Sequence, residues 1–517
     1  MQNYARTAIL LHMRIHLALT LAVICGWMGR ASVEAQNMRT PWSGYGHDPQ
    51  HNVISPVPSQ PLNRILWQTP VDLNPQYSGN DLLIHYGSPL VTRSNTVIVP
   101  VKTGATSGFR IEGRTGTNGV LKWTQFTDYR LPPHSWTPSF SPALTPKDRL
   151  YFPGGGGTVY FRDSPDAASG TTGQIAFYGL ANFNANTNAY LANVMINTPI
   201  TSDRYGNIFF GFQVTNATPV ALTSGVARID FNGNGTWISA AAAAVDSSIT
   251  KVVHNCAPAL SNNHKTLYVA VRDGSAHGYL VALDSRTLTP LAKVRLKDVK
   301  VPANDAQLLD DGTASPTVGP DGDVYFGVFE YSCCINNDRG WLRHFDGTLA
   351  QSKIAGAFGW DDTASVVPAS MVPSYQGSSS YLLMTKYNNY AGVGGDGINR
   401  IAILDPNDGM IDPITGATVM KDVLTIPGAT PDPEYIGSHP NAVREWCINS
   451  AAIDPFTMSV LANSEDGKLY RWSLDCNMLM QPITLTPGVG EAYTPTVIGV
   501  DGIVYAINNA TLFAVGR

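Results

Sequence analysis

The chain has 517 residues, of which 14% are charged, with a net charge of −5 and with 48 glycines and 35 prolines. That balance offers no basic surface for nucleic acid and no acidic tail, so no nucleic-acid partner is expected. A hydrophobic fraction of 44% supplies a core that a disordered chain would lack. The length admits two or three ordinary domains or one large domain built from repeats.

The N-terminus reads as a targeting segment. Arg6 and Arg14 precede an apolar run over residues 17–27, and Val33-Glu34-Ala35 ends in the small-residue pattern of a signal-peptidase site. Residues 1–35 are therefore expected to be a signal peptide, 36–62 a lead-in segment, and 63–517 a single domain. No later segment reaches 18 apolar residues, so no membrane span is expected after cleavage, and the mature chain should be secreted or periplasmic. Five cysteines then remain, Cys256, Cys333, Cys334, Cys447 and Cys476. An odd number leaves at least one thiol unpaired within the chain. Cys447 and Cys476 fall in one repeat unit and are able to pair, which would leave Cys256 over, but the connectivity stays open.

One phrase recurs through the rest: a small residue, usually followed by Pro, then apolar residues, a turn and an apolar triplet. Ser88-Pro89, Ser141-Pro142, Thr198-Pro199, Ala257-Pro258, Ser315-Pro316 and Thr494-Pro495 carry it, with weaker copies near Val367-Pro368 and Ser450-Ala451. Successive copies lie 53, 57, 59, 58, 52, 83 and 44 residues apart, which suits a four-stranded unit with variable loops. The turns carry Asp, Asn or Gly, as in Asp321-Gly322 and Asp501-Gly502, residues that tolerate positive φ. A β-sandwich also has short strands but would not repeat one phrase eight times. The expected fold is all-β: an eight-bladed β-propeller of four-stranded antiparallel blades, closed by the N-terminal strand. The last unit ends after its third strand, and Ile65, Leu66, Trp67 and Gln68 supply the missing fourth. The irregular unit at Val367 leaves seven blades as the other count.

Third strands ending in Asp, as in Ala282-Leu283-Asp284, and Gly four residues before Trp, at Gly119–Trp123 and Gly233–Trp237, resemble the pyrroloquinoline-quinone (PQQ) repeat. The segment from Trp42 through Tyr45, His47 and Asp48 to His51 is similar to the lead-in of secreted PQQ-repeat proteins. The resemblance, to the quinoprotein alcohol dehydrogenase-like family, covers nearly the whole mature chain and implies a propeller and, through its enzymes, PQQ and calcium. It also bears on the adjacent pair Cys333-Cys334, followed by Asp338-Arg339-Gly340. In the family's alcohol dehydrogenases a vicinal disulfide lies against the quinone and is followed by Asn-Arg-Gly. Here the pair falls in the fifth unit rather than early in the chain, so a purely structural disulfide, or two thiols, stays open beside a cofactor-binding one.

In a propeller, the inlet loop feeding each innermost strand converges on the central channel. Those loops hold His85, His134 with Trp136, Asn197, His254, Asp310 and Asp311, Trp360 with Asp361 and Asp362, Glu445 with Trp446 and Asn449, and Glu491 with Tyr493. A concave, mixed polar and aromatic mouth is the default ligand site, for a small molecule, a sugar or a protein. His85, His134, Trp136, His254 and Tyr493 are the expected ligand contacts. Glu445, Asn449 and Glu491 are hard oxygen donors of the kind calcium takes, although no Asp-x-Asp-x-Asp-Gly loop occurs. Two functions follow. One is a binding or assembly module. The other is a PQQ- and Ca-dependent alcohol or sugar dehydrogenase, with Asp361 or Asp362 as base and Cys333, Cys334, Trp360 and Trp446 at the cofactor.

Overall fold

The computed structural model describes residues 41–517, apart from 79–80, 83–86, 106, 133–139, 489 and 491. The targeting segment therefore lies outside the described residues, as do His85, His134, Trp136 and Glu491. No described helix is long and apolar enough to cross a membrane.

Among the described residues, eight antiparallel sheets follow one another along the chain as blades, each with a short innermost strand, beside one two-stranded pair, and we number the blades one to eight. Blade one, for example, comprises Leu90–Val91, Thr96–Lys102, Ser107–Thr115 and Leu121–Arg130. Second strands such as Val504–Asn508 and Ser459–Asn463 are buried at every position, because blades pack on both of their faces. Outer strands such as Met478–Thr484 are mostly exposed. The hydrophobic core thus lies between blades, which is why the inner strands read as unbroken apolar runs rather than alternating ones.

The ring closes as expected. Arg64–Pro70 pairs antiparallel with Thr511–Gly516, with Trp67 opposite Ala514, and becomes the fourth strand of blade eight. The fourth-strand tryptophans join neighbouring blades. Trp67 donates from Nε1 to the Gly116 carbonyl of blade one at 2.7 Å, and Trp123 donates to the Pro165 carbonyl of blade two at 2.8 Å. Gly119, at φ 70°, lies against the Trp67 ring, where a Cβ would come within 2.6 Å. The Gly-to-Trp spacing therefore makes a turn that also seats the tryptophan of the preceding blade.

The recurring small residue has a separate role. The Ser88 amide donates to Ser141 Oγ, the Ala257 amide to Ser315 Oγ, and the Ser315 amide to Thr363 Oγ1. Each bond runs from one blade to the next, so at these three junctions a hydroxyl links neighbouring inlet loops. This corrects the sixth anchor. Val367-Pro368 ends the innermost strand Ser365–Pro368, and the residue at the anchor position is Thr363, followed by Ala364.

The lead-in is part of the ring. Trp42 and Val91 exchange both backbone bonds in blade one, and the Ser43 carbonyl accepts from Leu144 in blade two. The carbonyls of Pro49, Gln50, Asn52 and Val53 then accept from Leu260, Val318, Val366 and Ile453 of blades four to seven. Each innermost strand has one edge facing the channel, and this strap satisfies an amide on six of the eight. Its winding uses left-handed backbone at His47, His51 and Val53 (φ 79°, 61° and 63°).

Closure makes Trp67 a test position. Trp67→Ala should lower unfolding free energy by about 3–5 kcal/mol in denaturant titrations. Trp67→Phe should recover the packing part only, because the Nε1 bond stays lost. Equal losses in both variants would mean that the ring is held by the hydrogen bond alone.

Candidate ligand site at the channel mouth

The channel centre is filled. The Tyr45 hydroxyl donates to Asn449 Oδ1 at 2.6 Å, lies 2.8 Å from Thr363 Oγ1, and reaches the Thr313 carbonyl at 3.3 Å. One strap residue thus ties the inlet loops of blades five, six and seven. His51 is fully buried with its Nδ1 2.7 Å from the Pro316 carbonyl, and burial depresses its imidazole to about 4. His254 is buried beside Asp310, and Asn197 is buried with its amide on the Val252 carbonyl. Asn197 and His254 therefore do not line the open pocket, while His85, His134, Trp136 and Glu491 lie outside the described residues.

What remains open lies to one side. A pocket of about 300 Å³ is lined by Asp338 of blade five, Trp360 and Asp361 at the blade-six inlet, and Tyr390 and Asn399 from the following loop. Asp432, Tyr435, Glu445 and Tyr493 complete it. The pocket brings together the expected Trp360, Asp361, Glu445 and Tyr493. Trp360 meets Phe329 edge-on at 5.1 Å, and its Nε1 is buried without a hydrogen-bond partner. That donor is costly to leave bare.

Behind the pocket lies a buried ion pair. Lys386 Nζ is 2.9 Å from Asp361 Oδ2 and sits over the Tyr493 ring at 4.9 Å. Burial by itself would depress the Lys386 ammonium, but Asp361 and Asp362 outweigh it and hold the group above its ordinary value. Asp362 faces away, into blade six. Its Oδ2 accepts from Thr385 Oγ1 and the Lys386 amide, both at 2.7 Å, and burial pushes its carboxyl up to about 6.

Two expected site residues have structural positions instead. Trp446 is fully buried in the core of blades six and seven, edge-on to Tyr470, because its inlet loop turns the indole inward. Asn449 spends its oxygen on Tyr45 and its Nδ2 on the Thr313 carbonyl. Glu445 comes near Cys447 and Glu465, with one ligand-type atom of each within 4.8 Å of the others, and Arg444 pairs with Glu465 at 3.0 Å.

Cys333 and Cys334 form a disulfide, the one such bond among the described residues, and Cys333 is exposed. Their sulfurs lie within 4.8 Å of an Asp338 carboxylate oxygen, at the pocket rim. The loop turns through left-handed Cys334, Asn337 and Asp338 (φ 75°, 55° and 57°). Beneath it Glu330 is fully buried, its carboxyl pushed up to about 7 by burial and then by Asp338. The Cys447–Cys476 bond does not form. Cys447 sits in the inlet loop and Cys476 in the turn beyond the third strand Lys468–Ser473, at the other end of the blade, past the reach of a disulfide.

Among the described residues, the lining of this pocket does not match the quinone–calcium site that the resemblance implies. PQQ is a tricarboxylate, yet this lining carries four acids, and the neighbouring Lys386 and Arg444 are already paired. The expected calcium donor Asn449 is committed to Tyr45. The contributors missed from sequence are Lys386 as a buried cation, Asn399, Asp432, Tyr435 and Glu465. One signal was available: Lys386 is the one charge in Tyr381–Tyr387, an otherwise uncharged and fully buried strand.

The architecture, an eight-bladed propeller, is shared with solved quinoprotein dehydrogenases. Among solved structures, the chain is similar to a europium-containing methanol dehydrogenase (TM-score 0.55, 10% identity, covering 92% of this chain and 90% of that one). It is similar also to the quinohemoprotein alcohol dehydrogenase from Comamonas testosteroni (TM-score 0.54, 11% identity, covering 92% of this chain and 81% of that one). At such identities the likeness is one of fold. No family model and no curated protein matches the sequence.

The raised carboxyls set a pH dependence. Asp362 and Glu330 bind protons more tightly in the fold than in the open chain, so their contribution favours folding at low pH. It is lost as pH rises through about 6 and about 7. Asp362→Asn keeps the two acceptor contacts and removes the charge. Its melting temperature relative to the parent should therefore rise between pH 4.5 and pH 7.5, by the equivalent of at most about 3 kcal/mol. A difference that stays flat with pH would refute the assignment.

Proposed function

We propose that this chain is an exported ligand-binding propeller whose ligand enters the mouth pocket between blades five and eight. The carrying observation is the buried, unpartnered Trp360 Nε1 in a concave pocket that also presents Asp361, Asp432, Glu445 and three tyrosines. Aromatic walls with a few fixed polar groups are what small-ligand sites are made of. The acidic lining supports a neutral or cationic ligand over an anion. Export rests on the N-terminal targeting pattern. The strap and filled channel support a rigid scaffold that presents one site, whether the occupant is a small molecule, a sugar or a side chain of a protein partner.

A PQQ- and Ca-dependent alcohol or sugar dehydrogenase is the second reading. It is supported by the fold and by Asp361, a buried carboxylate at the pocket wall. The two readings separate in one experiment on the purified mature chain. PQQ with Ca²⁺ should give no dye reduction with alcohols or sugars, while a small-molecule panel should contain compounds that raise the melting temperature and quench tryptophan fluorescence. Trp360→Phe should weaken such binding about tenfold, the loss of one buried hydrogen bond. Quinone-dependent turnover abolished by Asp361→Asn would replace the binding reading with the enzyme.

A further inference from the structure

A second, larger pocket of about 670 Å³ lies on the other side of the loop that walls the mouth site. Asn337 and Arg339 come from the blade-five disulfide loop, Asn389 and Asp396 from the blade-six loop, and Asp412 with Ile414 from the hairpin between Arg400–Ile411 and Thr418–Pro427. Tyr387, Arg400 and Asp422 form its wall.

The site is built before any ligand arrives. Arg339 is 2% exposed and is gripped by Asn336 Oδ1 and by both oxygens of Asp412, at 3.0 and 2.9 Å. Asn389 is fixed between Asn337 Nδ2 at 2.9 Å and Asp396 Oδ1 at 2.8 Å. Asp422 is hydrogen-bonded to Tyr387, while its Oδ1 is buried and takes no further partner. An acceptor left bare in a polar cavity calls for a donor from a ligand.

The charge balance restricts that ligand. Arg339 is matched by Asp412, and Arg400 by Asp396 at 3.4 Å, which leaves Asp422 alone. A phosphate finds no net opposite field here, and the surplus is a single carboxylate rather than an acidic cluster. What the cavity offers is a dense set of oriented donors and acceptors, with Pro413 and Ile414 as an apolar flank. Vicinal hydroxyls on a ring with C–H faces match that arrangement. We propose that the pocket between blades five and six binds a neutral saccharide, with Asp422 accepting from a sugar hydroxyl and Arg400 and Asn389 bracketing its neighbours. This site is independent of the mouth reading, since Trp360 contributes nothing to it.

The test uses the full mature chain with maltotriose, cellotriose, chitotriose and xylotriose, by saturation-transfer NMR and calorimetry up to about 10 mM. At least one trisaccharide should bind, and Asp422→Asn should weaken it about tenfold. Asp396→Asn, at a carboxylate 45% exposed and therefore gentle on the fold, should also weaken it, and Trp360→Phe should not. Inorganic phosphate should fail to compete. The proposal is overturned if no trisaccharide binds, if binding survives both pocket variants unchanged, or if Trp360→Phe abolishes it, which would place the sugar in the mouth.

Discussion

Backbone pairing between Arg64–Pro70 and Thr511–Gly516 is the constraint from which the rest of the molecule follows. Without it blade eight would lack its outer strand, and the chain would be an open array with a bare edge at each end. Because the completing strand comes from the N-terminal side, the residues before it must reach blade eight from within the ring. They do so as a strap that passes from Trp42 in blade one to Ser55 in blade seven, bonding to innermost strands on the way. Closure and the filled channel are thus one event. It also explains why the open mouth lies off-axis, where Tyr45 ends and the blade-six loop begins.

Much of this was legible in the sequence. Where a small residue precedes Pro, the inlet can donate an amide to the next blade and offer a hydroxyl to the previous one, as Ser315 does in both directions. Blade five to blade six was misplaced because Thr363-Ala364 lacks the proline, while Val367-Pro368 a few residues on has it. The true spacings there are 48 and 87 residues, the second stretched by the long loop and hairpin of blade six. The role of Trp42, Tyr45 and His51 was invisible, since a strap's partners are backbone groups and inlet hydroxyls far away in sequence.

The site was half legible for a physical reason. Inlet residues were read as facing the channel, yet an inlet loop has an inner and an outer side. Asp361 and Asp362 are adjacent and point opposite ways, one to the pocket and Lys386, the other to Thr385 inside the blade. Glu445 and Trp446 divide in the same manner, so that the acid lines the pocket and the indole joins the core. Alternation along an extended segment makes such splits the rule, and spacing alone does not say which neighbour faces in. Lys386 escaped because its pairing with Asp361 depends on the register between an inlet loop and a second strand.

Both pockets flank blade five, and its irregularity bears on the larger of them. Among the described residues that blade has three regular strands, Thr317–Val318, Val324–Val328 and Trp341–Phe345, with only isolated bridges at Gly356 and Ser352 where a fourth would run. The blade-six hairpin covers this edge, with the Met420 amide donating to the Ala355 carbonyl and Asp412 clasping Arg339. A regular outer strand would have left a flat interblade seam. The substitute hairpin instead stands off the ring and leaves space between its tip, the disulfide loop and the loop around Asn389. The polar contacts that hold the three together, Arg339–Asp412, Asn337–Asn389 and Asn389–Asp396, line that space. The repair of a defective blade and the building of a polar cavity are therefore carried out by the same side chains.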